Sequence, residues 1–581
     1  MTELLDPVFV EVLSSYLVSA AEEMTAAMVR SAYSTAIRDR KDCSSVLLTG
    51  AGEIAAQAAD VPVHLGGLAG VVGNAVKRYG VNRLRDGDVL LANDPYQGSS
   101  SHLNDISAVC PIWLDGHLAM FAAITGHHAD VGGRSPGSES VDSEVIYHEG
   151  IRLPALLAYR DGEPCNEVLE LIGLNSRTPA ERAGDLRAQV GAVLKGRQRV
   201  LEIAAKYGTA AVLDGIASLL SYTERRFRNA LAARPDVEFS ATESLDPDRQ
   251  TGRPIAIAVR VEKRGDRIRL DFTGTSAQIN EGRNVPWTGL VSAVYYALRS
   301  LVDPGLESNS GFFRAVEIVA PEGVLVNAQP PAAVSARVST AQHIAGVIFK
   351  AFASQWLEQV VAGSDGRRKV IFSGVDHRDG TFFVYHESNA GGVGAHANGD
   401  GIDGAMAHVI QMNNLPVEAL EIAYPLHVQR LELIPDSGGA GRWRGGAGVR
   451  RDYQVLGEEV HCSLVSEKSN DRLWGLCGGH AGARGRFVVN EGTPRQWEPD
   501  SSKLAAIELT RGETLSVQTG GGGGFGDPAE RPIDIVVREV SEGRLTIHGA
   551  LEDYGVQVTR SNTGEWRGQR PAIAESVGGD G

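Results

Sequence analysis

Five side chains that can bind a metal ion or move a proton fall in two short clusters. His102 and Asp105 lie in HLND, and His127, His128 and Asp130 lie in GHHAD. Imidazole and carboxylate donors together suit Zn, Mn, Fe or Ni, and no cysteine stands at ligand spacing to narrow the set. The same residue types also cap loops or sit hydrogen-bonded in cores, so the spacing alone leaves both roles open.

The stretch between the clusters supplies a way to bring them together. Residues 106–113 are apolar and partly β-branched, Asp115-Gly116 is a turn signal, and 118–125 is a second apolar run. That pattern predicts an antiparallel hairpin whose closing ends set HLND beside GHHAD. Upstream, 44–48 and 53–58 read as a strand pair around a turn at 50–52. Asp42 stands just before the first of these strands, where a carboxylate can reach a site, yet a charged RDRKD run defaults to a solvated loop. His64, in VPVHLGG before a helix at 67–79, reads either as a helix-start residue or as a histidine near the same site. After Gly137, a loop with Glu144, His148 and Glu149 has the character of a lid.

Asp6-Pro7 opens a helix expected over 7–35, with Leu13, Leu17, Met24 and Met28 on its core stripe. Further helices are expected at 168–174, 179–195, 197–207 and 211–232, and the turn-rich stretch 233–252 marks a boundary. A hairpin at 255–261 and 267–272, a helix at 287–301, a strand at 314–319 and a helix at 340–360 follow. In the glycine-rich last third, 389–404 carries His396, Asp400 and Asp403, either as a second polar site or as an ordered interface loop. PDSGGAGRWRGGAGVRRDY gathers Arg442, Arg444, Arg450 and Arg451 as an anion cradle would. Neither it nor TGGGGGFGDP carries the lysine of a phosphate loop, so turns between strands account for both.

The expected fold is α/β (mixed α+β) and multidomain, with glycine-rich turns between strands, and not a simple doubly wound sheet. Its parts are a metal-site domain with a helical segment at 1–232, a central α/β domain at 233–360, a glycine-rich mixed α/β domain at 361–560, and a disordered tail at 561–581. Of 581 residues 43% are apolar and 22% charged, as in ordinary globular proteins, whereas the 69 glycines stand out. A net charge of −16 without a basic stripe argues against nucleic-acid binding. Cys43, Cys110, Cys165, Cys462 and Cys477 are scattered and odd in number, which fits a reducing cytoplasm. No secretory signal is read at the N-terminus, and no apolar run is long enough to span a membrane.

Eleven motifs in order carry a resemblance: RDRKDCS, VPVHLG, NDPYQGSSSHLND, GHHADVGGRSPGS, HEGIRLP, NSRTP with GDLRAQ, DFTGTSAQ, PEGVLVN, LPVEALE with YPL, PDSGGAGRWRGGAG and GGGGFGDP. Over nearly its whole length the chain resembles the hydantoinase B/oxoprolinase family. The family includes B-type subunits of ATP-dependent hydantoinases and caprolactamases, the C-terminal half of 5-oxoprolinases, and subunits of acetone and acetophenone carboxylases. The resemblance implies a divalent metal (Zn, Mn or Fe) on Asp42, His102, Asp105 and His127. It leaves His128, Asp130 and His64 as proton-transfer or ligand-orienting residues. It further implies an A-type partner subunit that uses ATP to phosphorylate the amide carbonyl, a cyclic amide substrate (hydantoin, 5-oxoproline or lactam), and an A2B2-type hetero-oligomer. A metal then makes water nucleophilic near neutral pH. Two alternatives use the same residues differently: a subunit of an ATP-dependent ketone carboxylase, and a non-catalytic scaffold for the A-type subunit. The chain departs from the family pattern where Ser101-His102-Leu103-Asn104-Asp105 replaces Thr-His-Leu-Pro-Asp, at Cys43, and in the loop with Glu139 and Ser140.

Overall fold

In the computed structural model, which describes residues 6–467 and 472–570, the chain opens with helix α1 (Pro7–Ser31), capped by the Asp6 side chain. It ends earlier than its apolar pattern suggests. Ala32 is extended, and Ser34 caps a separate one-turn helix, α2 (Thr35–Arg38). Next come β1 (Cys43–Thr49), β2 (Ile54–Gln57), α3 (Leu65–Tyr79), β3 (Val89–Ala92), β4 (Asp105–Leu114), β5 (His117–His127), β6 (Leu156–Arg160) and β7 (Glu163–Pro164). The strands form one antiparallel sheet in the order β2-β1-β5-β4-β3-β6-β7. The β4–β5 hairpin is the one expected, turned at Asp115 and Gly116, both at positive φ.

Alternation along β5 divides the core. Met120, Ala122 and Ile124 pack on the side of α1 and α5 (Pro179–Tyr207), which follows the short α4 (Asn166–Leu174). Phe121 and Ala123 pack on the side of α3. Helix α5 is unbroken where two helices were expected, because Gly196 lies in its interior against α1. A Cβ there would fall 2.3 Å from Met24 Sδ. Helix α6 (Thr209–Ala232) completes this layer.

The central region has the sheet β11-β10-β9-β8, built from β8 (Val237–Leu245), β9 (Ile255–Arg264), β10 (Arg267–Asp271) and β11 (Val316–Val319), with only β10 and β11 parallel. β8 occupies the stretch read as a turn-rich boundary. It is an edge strand, exposed at most alternate positions, which explains its polar composition. Helices α7 (Trp287–Val302) and α8 (Arg337–Phe352) pack against each other, and α8 lies on β8 and β9 of this sheet. Farther on, β12 (Arg368–Val375), β13 (Phe382–Asn389), β16 (Glu459–Val465) and β18 (Lys503–Thr510) form one sheet. β14 (Leu426–Leu433), β15 (Val449–Val455), β17 (Arg486–Val489) and β19 (Thr514–Gln518) form another. Phe372, Tyr385, Tyr453, Leu464 and Val517 share the core between them. The expected disordered tail is corrected in its first part. β21 (Trp566–Gln569) pairs with β20 (Gln557–Arg560), and Trp566 packs against a small core that includes Val536, Val540 and Val556. Residues 571–581 lie outside the described residues. Among the described residues no single helix is long and apolar enough to cross a membrane.

The glycine run 520–524 does more than turn. Its backbone lies directly on other backbone: Gly392 N donates to Gly520 O, Gly439 N to Gly522 O, and Gly523 N to Gly363 O, at 2.9, 2.8 and 2.7 Å. A Cβ on Gly522 would fall 2.2 Å from Val393 O. Gly522→Ala is therefore expected to destabilise the fold by about 1–3 kcal/mol or more. Gly73→Ala in α3, where an added Cβ meets nothing within 4 Å, is expected to be neutral or stabilising. Calorimetric melting of the two variants beside the wild type checks this; equal midpoints for Gly522→Ala and wild type would count against the close-packed backbone.

Candidate metal centre

Strand register builds the site. Asp105 opens β4 and pairs directly with His127, the last residue of β5. Asp42 precedes β1, and its carbonyl accepts from His127 N at 3.0 Å. Three neighbouring strands thus deliver two carboxylates and one imidazole to the same end of the sheet. His102 comes from the loop before β4, and His64 from the one-turn helix Pro62–His64 that leads into α3. Asp105 Oδ1 is 2.9 Å from His102 Nε2, 3.2 Å from His127 Nδ1 and 3.7 Å from His64 Nε2. His64 Nε2 is also 3.7 Å from Asp42 Oδ1. All five residues are buried.

The hydrogen bonds around these rings decide where their protons sit. His102 Nδ1 lies 3.1 Å from Ser335 O, which can only accept, so that nitrogen carries the proton. Ser44 Oγ donates to Val61 O and stands 2.8 Å from His64 Nδ1, which places a proton there as well. Both Nε2 atoms are then bare lone pairs facing carboxylate oxygens. At 2.9 Å from His102 Nε2, Asp105 Oδ1 meets an acceptor rather than a donor. Such contacts are repulsive unless a cation lies between them. Donors held about 2.0–2.2 Å from one ion stand about 3–3.5 Å apart, close to the spacings found here. His102, Asp105 and His127 therefore bring donor atoms close enough together to fit a divalent ion, with His64 beside both Asp105 and Asp42.

Burial and charge maintain this state. Burial, together with the neighbouring Arg337, pushes His102 down to about 4, and burial also lowers His127. Burial opposes ionisation of Asp105; with His102 neutral, the Arg337 guanidinium is the cation that favours the carboxylate. Arg337 Nη2 is 2.6 Å from Asp105 Oδ2, and its Nε donates to Ser101 Oγ. A cavity of about 390 Å³ reaches Ser44, the residue that orients His64, and is also lined by Asp60, Tyr295 and Tyr296.

The sequence reading missed part of this surrounding. Glu139 Oε1 is 3.6 Å from His102 Nδ1 and 3.9 Å from His127 Nε2, and its Oε2 is 2.5 Å from Lys369 Nζ. Burial works against charging Glu139, but Lys369 and Arg367 hold it ionised, and burial pushes Lys369 down to about 7. His386 on β13 sets its ring edge against His127, with centroids 5.3 Å apart. Glu139 was legible only as a departure in the loop after Gly137. Arg337, Lys369 and His386 carried no local signal, since they arrive from α8, β12 and β13.

Two expected proton-transfer residues are placed elsewhere. His128 follows His127 and so points to the opposite face of the sheet. There Arg182 donates to its Nδ1 and its Nε2 donates to Gln189 Oε1, while burial and Arg182 push it down to about 3. Asp130 accepts from the amides of Gly132, Gly137 and Arg177 and pairs with the Arg177 guanidinium at 3.0 Å. It organises a loop rather than facing the cluster. In the expected lid, Glu149 accepts from Val334 N and Ser335 N, both at 2.7 Å, and burial pushes it up to about 8. The anion cradle is filled by partners within the chain: Arg444 pairs with Asp403 and Glu539, Arg450 with Asp452, and Arg451 with Glu387. Asp400 pairs with Arg531, so 389–404 is an ordered loop held by ion pairs.

Fold and site together define a multidomain α/β protein with an enclosed imidazole–carboxylate cluster at one end of an antiparallel sheet. The chain belongs to the hydantoinase B/oxoprolinase family, whose profile matches residues 6–528. An uncharacterized protein of Methanocaldococcus jannaschii is 35% identical, covering 96% of this chain and 97% of that one. The B-type component of a putative D-/L-hydantoinase from a Pseudomonas species is 31% identical, with 96% of each chain covered. The crystal structure of the ATP-dependent caprolactamase from Pseudomonas jessenii superposes with a TM-score of 0.88 at 28% identity, covering 97% of this chain and 98% of that one.

The buried neutral imidazoles make stability depend on pH. Unfolded histidines titrate near about 6.5, whereas His102 and His128 titrate at about 4 and about 3 in the fold. Below about 6.5 the unfolded chain takes up protons that the folded chain refuses, at about 1.4 kcal/mol per pH unit for each group. Glu149, raised to about 8, acts in the opposite sense, its contribution being lost as pH rises from its unfolded value toward 8. Two imidazoles outweigh one carboxyl, so chelator-treated protein is expected to lose stability from pH 6.5 to 5, and His128→Gln to flatten that slope. Denaturant midpoints at the two pH values check the sign.

Proposed function

We propose that this chain is the B-type subunit of an ATP-dependent cyclic-amide hydrolase, opening a hydantoin, 5-oxoproline or lactam ring whose carbonyl an A-type partner has activated with ATP. The observation that carries this reading is the pair of bare imidazole nitrogens, on His64 and His102, turned toward Asp105 in an enclosed site. Family membership and the names of the hydantoinase and caprolactamase relatives supply the substrate class. An unstrained amide resists attack because resonance stabilises it and its leaving amine is basic, which is the reason for an activating partner. An A2B2-type assembly would bring the two sites into one particle.

Asp42, His64, His102, Asp105 and His127 would hold a divalent ion, with Zn, Mn and Fe all compatible with such donors. Once bound, the ion supplies Lewis acidity, polarising a carbonyl and making water a competent nucleophile near neutral pH. Arg337 keeps Asp105 ionised, while Ser335 and Ser44 keep the protons of His102 and His64 on their outward nitrogens. Proton handling passes from the expected His128 and Asp130 to Glu139 and Lys369. Lys369, at about 7, can hold or release a proton near neutrality, and Glu139 links it to the His127 edge.

Elemental mass spectrometry of the purified protein is expected to find about one transition metal per chain, lost in folded His102→Ala and His127→Ala. With the A-type partner and ATP, ring opening is expected to fall at least about a hundredfold in both variants. A folded wild-type protein that takes up no metal even after reconstitution would sink this reading.

A further inference from the structure

The buried cations beside the metal-donor cluster are not equally satisfied. Arg337 has Asp105 at 2.6 Å, Lys369 has Glu139 at 2.5 Å, and Arg40 donates to His386 O at 2.7 Å. Arg367 is the exception. It is 4% exposed, and among the described residues its one side-chain hydrogen bond is from Nη1 to Ser388 Oγ at 3.3 Å. Among the described residues its Nε and Nη2 are buried without a hydrogen-bond partner, and the nearest carboxylate oxygen, Glu139 Oε2, is 3.8 Å from Nη2 and already taken by Lys369. Nearby, both ring nitrogens of His386 are also buried without hydrogen-bond partners among the described residues. A buried guanidinium with one whole edge unmade is costly, because each unmet charged donor forfeits its hydration.

Nε and Nη2 form the side of the guanidinium that binds a carboxylate or phosphoryl group through two parallel N–H···O bonds. Arg367 also lies in the right place. It stands against Glu139, whose other oxygen faces the rings of His102 and His127, and it feels the charges of Asp42 and Arg337. A second metal ion on His127, Glu139 and His386, whose donor atoms are close enough together, would have to sit beside both Lys369 and Arg367. That neighbourhood favours an anion.

We propose that the free edge of Arg367, with His386 beside it, is a subsite for a compact oxyanion on the reacting molecule, so that the substrate enters the metal site with a carboxylate or phosphoryl group anchored there. The proposal rests on the cyclic-amide reading and deepens it. A ring carrying a carboxylate would be preferred over the same ring without one, or else the anchored group is the phosphoryl group supplied by the A-type partner.

Isothermal titration of the metal-reconstituted protein, with and without its A-type partner, tests this directly through three probes: 5-oxoproline, 2-pyrrolidinone and inorganic phosphate. If the anchored group is a carboxylate, 5-oxoproline binds at least about tenfold more tightly than 2-pyrrolidinone. Arg367→Gln then removes that preference and Arg367→Lys keeps part of it. If it is phosphoryl, the two lactams bind alike, while phosphate binds the wild type and not Arg367→Gln. Each result supports the oxyanion subsite and identifies its source. Equal binding of the two lactams together with no phosphate binding in the wild type overturns the proposal, whatever the variants do. Turnover is read separately. Ring opening without any anion preference would leave the hydrolase reading standing and this subsite refuted, whereas anion binding without ring opening of either lactam would do the reverse.

Discussion

The pairing of Asp105 with His127 across β4 and β5 is the constraint on which the rest of the site depends. A one-residue slip in that ladder would put Asp105 and His127 on opposite faces of the sheet. Register is fixed on either side of the pair. Ser107 and Thr125, the next pair on the same face, share a hydrogen bond of 2.6 Å, and Phe121 and Ala123 continue that face into the α3 core. β1 then adds Asp42 beside His127, and α3 is preceded by the turn that carries His64. Hydrophobic alternation in an ordinary antiparallel sheet thus places polar donors that have no hydrophobic reason to meet.

Once gathered, these donors would be expensive without compensation. Two carboxylates of the cluster have a buried cation supplied from another part of the chain: Arg337 from the start of α8 for Asp105, and Lys369 from β12 for Glu139. Outward-facing nitrogens of His64 and His102 are tied to Ser44 and Ser335, which leaves the inward ones as lone pairs. The site is therefore tuned less by its donors than by the groups that fix their protonation. The same accounting exposes Arg367, whose edge no group of the described chain fills.

The glycine-rich last third has a part in this arrangement. Backbone-to-backbone packing around 520–524 locks segments from 363 to 482 against one another. Arg368 opens β12, and Asp365 just before it accepts from Gly520 N. The start of β12, which presents Arg367 and Lys369, is thereby joined to the glycine core. Close approach of bare backbone is the physical reason for a glycine content that turns alone do not require.

Much of the N-terminal site was legible in the sequence, because its geometry is local. The apolar run, Asp115-Gly116 turn and second apolar run specify a hairpin, and a hairpin brings HLND to GHHAD whatever the rest of the chain does. The ordered motifs identified the family and added Asp42. Parity along β5 was also implicit; the resemblance chose His127 over His128, and the physical reason came with the structure, where His128 faces α5. Tertiary structure alone decided the remainder. It brought His64 into the donor set, removed Asp130 to a loop with Arg177, and delivered Glu139, Arg337, Arg367, Lys369 and His386 from segments distant in sequence. Sequence patterns encode which face of an element is apolar; they do not encode which buried charge from another element will meet it. That pairing is settled only when the sheets and helices pack and each charge must find a partner or remain without one.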